Sequence, residues 1–140
     1  MATIKSFTSL EQSRKLAEIL PLESADMYYP WYIEEDRDNI KSGHRISIPS
    51  VGNFIHKVNI LPCWSLAALL SALPIVYTNN KKEVCGPLHI DITDSETPFA
   101  LWYVNPLHKG SIVELQTKEY DNLVDACVEM IIKVHELKML

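Results

Sequence analysis

Glycine is scarce in this sequence, and its scarcity limits the kinds of ligand site that the chain can form. The 140 residues include only four glycines, and none belongs to a G-x-x-x-x-G-K or G-x-G-x-x-G motif. Both motifs bind phosphate through backbone N–H groups, which can approach the ligand closely because glycine has no side chain. We therefore predict no phosphate-binding loop of either type.

Cysteine is also sparse. The sequence has three cysteines, Cys63, Cys85 and Cys127, which lie far apart and include no C-x-x-C pair. An odd number at such spacing does not form the disulfide framework of a small secreted domain, and it does not supply a compact set of zinc ligands. We therefore predict reduced thiols, a cytoplasmic location, and neither a bound metal nor an organic cofactor.

Positive charge is in deficit. The chain has 13 lysines and arginines against 18 aspartates and glutamates, which gives a net charge of −5. Such a chain has no overall positive field to attract nucleic acid or anionic lipid, so its charge argues against a nucleic-acid partner. The first fifteen residues also lack the basic head and apolar core of a secretory signal.

One nearly charge-free run, LPCWSLAALLSALP, covers residues 61–74. Leu66, Leu69, Leu70 and Leu73 recur at the spacing of one helical face, and Pro74 cannot continue a helix, so we predict a helix over 63–73. At 1.5 Å per residue this helix is roughly 16 Å long. A bilayer core is about 30 Å thick. The run therefore predicts a buried core helix and no membrane segment.

Two further helices are predicted, over 9–20 and 122–138. Thr8 and Glu11 have the spacing of a capping box, and Pro21 ends the first helix. Asp121 or Asn122 caps the last helix, whose acidic residues come early and whose lysines come late, as the helix dipole favours.

The segment between the last two helices is typical of β-structure. Leu88, Ile90 and Ile92 alternate with His89 and Asp91, which predicts a half-buried strand. We predict a hairpin over 87–104 and a possible third strand over 111–117. The sequence thus predicts an α+β fold, a single domain over 1–140 with two or three helices on a small antiparallel sheet.

Two places carry side chains suited to chemistry. Cys63 begins the predicted core helix, where the helix dipole would lower the pKa of its thiol and favour nucleophilic attack. The alternative, which a buried core helix favours, is a small apolar residue packed beside Trp64. His89 and Asp91 lie on one face of the hairpin, where a carboxylate can orient an imidazole for acid–base work. The alternative is the solvated face of an ordinary strand.

An aromatic segment offers a possible contact surface. Tyr28, Tyr29, Trp31 and Tyr32 lie within five positions. Exposed tyrosines and tryptophans anchor many protein interfaces. The alternative is that these rings cover the protein's own helices.

Three blocks, KLAEILPLESADMYY, PCWSLAALLSALP and VDACVEMIIKVHE, are specific enough to suggest relatives. They resemble a group of small proteins encoded in gut anaerobes and in their phages and mobile elements. In that group a W-S-L-x-x-L-L-x-x-x-P helix precedes a β-hairpin and a closing D-A-C/A-x-E-M helix. The resemblance covers roughly a third of the chain, excludes residues 33–60 and implies no activity.

The sequence does not define a biochemical activity, and we weigh two kinds of function. The first is a non-enzymatic accessory domain of mobile-element type that binds an unidentified protein or itself. Its contact would be Tyr28, Tyr29, Trp31 and Tyr32, or the polar face of the hairpin. The alternative is a small enzyme that uses Cys63, or His89 with Asp91.

Overall fold

The computed structural model describes residues 5–29, 46–47, 61–107 and 112–137. They divide between two compact units, unit 1 (Met1–Lys5 with Leu73–Leu140) and unit 2 (Ser6–Ala72). The single domain over 1–140 stays a prediction. Most of the segment 33–60 lies outside the described residues, as do Trp31 and Tyr32.

The described residues contain three α-helices and three small antiparallel sheets, which confirms the predicted α+β class. The helices are α1 (Leu10–Ala17), α2 (Leu66–Ala72) and α3 (Leu123–Glu136). The strands are β1 (Met27–Tyr29), β2 (Ile46–Ser47), β3 (Leu61–Cys63), β4 (Tyr77–Thr78), β5 (Val84–Cys85), β6 (Leu88–Ile92), β7 (Phe99–Asn105) and β8 (Ile112–Gln116). The sheets have the orders β2-β1-β3, β4-β5 and β6-β7-β8, where the sequence predicts only one sheet.

Helix α1 begins one residue later than the predicted capping box. The Gln12 backbone N–H donates to Ser9 Oγ at 3.2 Å, and the Ser9 N–H donates to Gln12 Oε1 at 3.0 Å, so these two residues form the box. Thr8 is buried instead. Its hydroxyl lies 2.7 Å from that of Ser13 and accepts the backbone N–H of Trp64 at 3.2 Å. Contacts made far along the chain therefore decide which of two adjacent hydroxyls caps the helix.

Helix α2 is shorter than the predicted helix over 63–73, and this is a correction. Residues 61–63 pair with β1 as strand β3, with Cys63 opposite Met27. The helix begins only after Ser65, whose Oγ accepts the Ala68 N–H at 3.2 Å as an N-terminal cap. Asp26 holds Ser65 in place, because its carboxylate accepts both the Ser65 hydroxyl and, at 2.9 Å, the Ser65 backbone N–H.

In unit 1, strand β7 is paired on both sides, by β6 and by β8, which confirms the hairpin and the third strand. Its Leu101 and Tyr103 side chains are fully buried. Helix α3 packs on β7 and begins at Asn122, whose side-chain oxygen accepts the Asp125 N–H at 2.8 Å, as predicted. Buried residues of α3 form its core face: Val124, Cys127, Met130, Ile131 and Val134.

Strand β8 contains a bulge. Tyr103 pairs with Leu115, while Val104 pairs with Val113, so Glu114 is an extra residue in the ladder. An unpaired extra residue of this kind redirects its side chain and increases the local twist. The bulge gives Glu114 contacts that are described below.

Gly86 allows a close approach between two segments of unit 1. Its φ is +135°, and a Cβ at this position would lie 2.8 Å from both the Ile75 carbonyl oxygen and Val76 Cγ1. Its N–H donates to the Val104 carbonyl at 2.8 Å. A side chain at residue 86 would therefore meet both an unfavourable φ and occupied space.

We expect Gly86→Ala to lower the free energy of unfolding by about 2 kcal/mol, since strained backbone of this kind costs on the order of 1–3 kcal/mol. Urea denaturation followed by circular dichroism measures the change. The neighbouring exposed substitution Val84→Ala is the control and should change stability by less than about 0.5 kcal/mol. Equal stability of the two variants would contradict the close approach at Gly86.

Candidate functional site

Cys63 is a buried thiol in strand β3 and does not lie at a helix N-terminus. It is fully buried, and the nearest polar partners of its sulfur are the Thr8 hydroxyl and the Thr8 carbonyl oxygen, both at 3.6 Å. Burial raises the pKa of the Cys63 thiol, and the neighbouring hydroxyls offset only part of this rise. The helix-dipole effect expected from the sequence is therefore absent, and the thiol is protonated at neutral pH.

The aromatic segment is only partly within the described residues. Tyr29 is 1% exposed, packs against Phe7 edge-to-face, and donates its hydroxyl to the Thr8 carbonyl at 2.6 Å. It belongs to the core of unit 2 and cannot act as an exposed contact residue, which corrects the expectation for this side chain. Tyr28 is half-buried on the same strand. Trp31 and Tyr32 lie outside the described residues, so their part of the hypothesis stays a prediction.

His89 and Asp91 are both exposed on β6. The His89 ring lies 5.3 Å from the ring of Trp102, the residue opposite it on β7. No hydrogen bond joins His89 to Asp91 in the described part of the chain. The arrangement is that of polar side chains on a solvated strand face and does not by itself define an acid–base pair.

Among the described residues, β6 pairs with another strand on one side only, where β7 lies. The Thr93 N–H donates to the Pro98 carbonyl across the hairpin, whereas the Leu88 N–H points the other way and donates to the Ile75 carbonyl, each at 2.8 Å. Backbone groups alternate in direction along an antiparallel strand. Those of His89 and Asp91 therefore face β7, while those of Ile90 and Ile92 face the outer edge.

That outer edge has no partner strand among the residues that the structure describes, since β6 is the terminal strand of its sheet. In the same residues, the backbone hydrogen bond made on this side is the one from the Leu88 N–H to the Ile75 carbonyl. Ile90 is 43% exposed and Ile92 68% exposed, although the sequence predicts that they are half-buried. They share a sheet face with Leu101 and Phe99, their partners on β7, but α3 packs on the central strand and leaves the edge uncovered. Within the described residues, the edge of β6 is therefore open, and the exposed side chains of Ile90 and Ile92 form an apolar surface beside it, which we call the apolar shelf.

The opposite edge of the same sheet, at β8, is protected in two ways. The Glu114 bulge interrupts the ladder, and the Lys133 ammonium donates to the Gln116 carbonyl oxygen at 2.9 Å. Bulges and contacts from a charged side chain or a neighbouring helix are among the means by which proteins prevent unwanted strand pairing, and Lys133 reaches the edge from α3. Only β8 carries these features, so the two edges are not equivalent.

Unit 1 contains a partly buried hydrogen-bond network that the sequence does not predict. The side-chain amide of Asn105 donates to Glu83 at 3.1 Å and to Glu114 at 3.0 Å, and that of Asn79 donates to the same two carboxylates at 3.1 and 3.4 Å. The four residues, which we call the amide–carboxylate quartet, join the β4–β5 hairpin to β7 and β8. No motif could have indicated it, because its members are brought together only by folding.

Neither a metal centre nor a membrane segment is found in the described ranges. No group of three or more His, Cys, Asp or Glu side chains there is arranged to hold a metal ion. Nor does any helix in these ranges combine the length and the apolar character needed to cross a bilayer.

No protein-family model matches the chain, and no curated protein or solved structure is significantly similar to it. The resemblance to proteins of gut anaerobes and their mobile elements therefore stays a prediction. The open edge of β6, with Ile90 and Ile92 beside it, is the candidate site for which the structure gives the clearest geometry.

We expect all three thiols to react slowly in the folded protein. Cys63, Cys85 and Cys127 are buried and the pKa of each is raised, to about 12 for Cys127, so thiolate is rare at neutral pH and labelling becomes faster only in alkali. Labelling with a chromogenic disulfide at pH 7 should be on the order of a hundredfold slower than for free cysteine, and three thiols should react after denaturation. Rapid labelling of native Cys63, located by peptide mass spectrometry, would support the nucleophile hypothesis instead.

Amide exchange along β6 should alternate. The amides of His89 and Asp91 face β7, so we expect them to exchange at least about tenfold more slowly than those of Ile90 and Ile92, which face the open edge. Residue-resolved hydrogen exchange by NMR measures this directly. Equal protection of Ile90 and His89 would show that the outer edge is already paired in the free protein.

Proposed function

We propose that this chain is a non-enzymatic protein-binding module that adds an extended segment of another protein to its sheet along β6. The observation that carries the proposal is the difference between the two edges of one sheet. The β8 edge contains a bulge and has its Gln116 carbonyl bound by Lys133, whereas the backbone groups of Ile90 and Ile92 at the β6 edge face outward.

Strand addition explains why the open edge and the apolar shelf occur together. In this binding mode the main chain of the edge strand supplies hydrogen bonds, while side chains at alternate positions supply specificity. A partner strand beside β6 would bond with Ile90 and Ile92 and would cover their exposed side chains. Both costs of an unpaired edge, exposed polar backbone and exposed apolar surface, would then be removed by one contact.

The hairpin, and not the aromatic segment, is therefore the proposed contact. Tyr29 belongs to a core, and Tyr28 is half-buried on β1. The polar face of the hairpin borders the same edge. Its His89 and Asp91 side chains would contact the side chains of the added strand that lie on that face.

The proposed biological setting rests on the sequence alone. We propose that the module is a cytoplasmic accessory protein of phage or mobile-element type. The resemblance of three sequence blocks to such proteins supports this setting, and the three unpaired cysteines are consistent with a reducing compartment.

The test compares one substitution at each edge. Ile90 on β6 and Ile112 on β8 are 43% and 45% exposed, so Ile90→Lys and Ile112→Lys are matched in residue type and exposure. A charged side chain at a strand edge opposes pairing with another strand. We expect the wild-type protein and Ile112→Lys to capture the same partner from native lysate. Ile90→Lys should recover about tenfold less of it, which corresponds to a loss of about 1.4 kcal/mol in binding free energy.

Quantitative mass spectrometry measures the recovery, and circular dichroism must show that both variants are folded. The captured protein is then added to the labelled wild-type chain, and exchange of the Ile90 and Ile92 amides should slow. Equal recovery by both lysine variants, or unchanged exchange at these two amides, would contradict binding at β6.

A further inference from the structure

We propose that the segment bound by β6 is cationic, with lysine or arginine at one set of alternate positions and apolar residues at the other. This inference rests on the proposed function, and it specifies the chemistry of the partner. It follows from the charges around the edge and from the direction of each side chain on β6.

The hairpin has an unbalanced negative charge. No lysine or arginine occurs between residues 83 and 107, whereas Asp91, Asp94 and Glu96 all lie exposed on β6 or in the loop that follows it. Glu119 adds a fourth carboxylate, since it accepts the hydroxyl of Thr97 at 3.3 Å. None of these four forms an ion pair within the described residues, so their charge is available to a ligand. A strand with the opposite charge is attracted to this end of the sheet.

The geometry of β6 assigns the two kinds of side chain to separate faces. A partner strand would exchange hydrogen bonds with Ile90 and Ile92, and its residues opposite them would lie on the apolar face that contains Leu101. The partner residue opposite Asp91 would lie on the other face. This position is a non-hydrogen-bonded pair, in which facing side chains come closest, so a lysine or arginine there is well placed to pair with the carboxylate.

A second copy of the chain fits the edge less well. Antiparallel pairing of two β6 strands about Ile90 would place Ile92 of the copy opposite Leu88, where the Ile75 carbonyl already accepts the Leu88 N–H at 2.8 Å. Pairing about Asp91 would place two aspartates directly opposite each other, and like charges at that position are destabilising. The four carboxylates likewise repel a nucleic-acid backbone.

The experiment uses the full chain and three fluorescein-labelled hexapeptides with valine at alternate positions and lysine, serine or glutamate at the others. Fluorescence anisotropy at 50 and 300 mM salt gives the affinities. We expect the lysine peptide to bind about tenfold more tightly than the glutamate peptide and about threefold more tightly than the serine peptide, with a smaller preference at high salt.

Two charge variants test whether the hairpin carboxylates cause the preference. Asp91→Asn/Asp94→Asn/Glu96→Gln should abolish it. Its control, Glu11→Gln/Glu18→Gln/Glu23→Gln, removes three exposed carboxylates of unit 2 and leaves the same net charge, so it should keep the preference. Ile90→Lys should weaken the binding of all three peptides, because it places a charge at the strand edge itself.

The results separate this inference from the proposed function. Equal affinity of the three peptides, with a loss in Ile90→Lys, would overturn the cationic partner and leave strand addition in place. Failure of every peptide to bind would also overturn it, while the lysate experiment would decide the proposed function independently. Dimerisation in analytical ultracentrifugation that Ile90→Lys abolishes would show that the occupant is a second copy.

Discussion

The side chain of Tyr103 holds unit 1 together. It extends from the central strand β7, and its hydroxyl donates to the Pro74 carbonyl at 2.6 Å, while its ring packs edge-to-face on Tyr77 at 5.1 Å. The thiol of Cys127 on α3 lies close enough to affect its ionisation, and burial raises the pKa of Tyr103 to about 12. The phenol therefore stays protonated and keeps its hydrogen bond at any physiological pH. One residue thus joins the sheet, the helix and the segment that precedes β4.

The open edge of β6 is a consequence of this arrangement. Leu88 lies opposite Tyr103, and its N–H is bound by Ile75, one residue after the carbonyl that accepts the Tyr103 hydroxyl. The start of β6 is therefore fixed on both sides, whereas Ile90 and Ile92 extend beyond the last covering residue. The edge is therefore anchored at Leu88 and has no partner strand along the rest in the part of the chain that the structure describes. Addition of a strand to an edge that is already formed costs little ordering of the protein on binding.

Local sequence patterns predicted those elements whose determinants lie within a few residues of one another. Helix α3 is an example, because its apolar spacing and its Asn122 cap are both local. The predicted start of α2 is wrong because Cys63 pairs with Met27, 36 positions earlier, and no local pattern reveals that pairing. Ile90 shows a further limit. Its alternation correctly predicts a strand, but only the assembled sheet shows that this strand is at the edge and uncovered.

The candidate site residues also divide into those that local patterns predict and those that depend on distant contacts. His89 and Asp91 were found from their alternation and are exposed on the predicted hairpin. The burial of Tyr29 was not predictable, because the hydrogen bond of its hydroxyl to Thr8 is made across 21 positions.

The amide–carboxylate quartet also limits how this sequence can change over evolutionary time. Two carboxylates, Glu83 and Glu114, share the side-chain amides of Asn79 and Asn105. An aspartate in place of either asparagine would bring a third negative charge to the group and remove donors that both glutamates use. Substitution of a glutamate by glutamine would be needed to compensate. The four positions are therefore expected to vary together, which would make them a recognisable signature of descent in a chain that otherwise has little motif content.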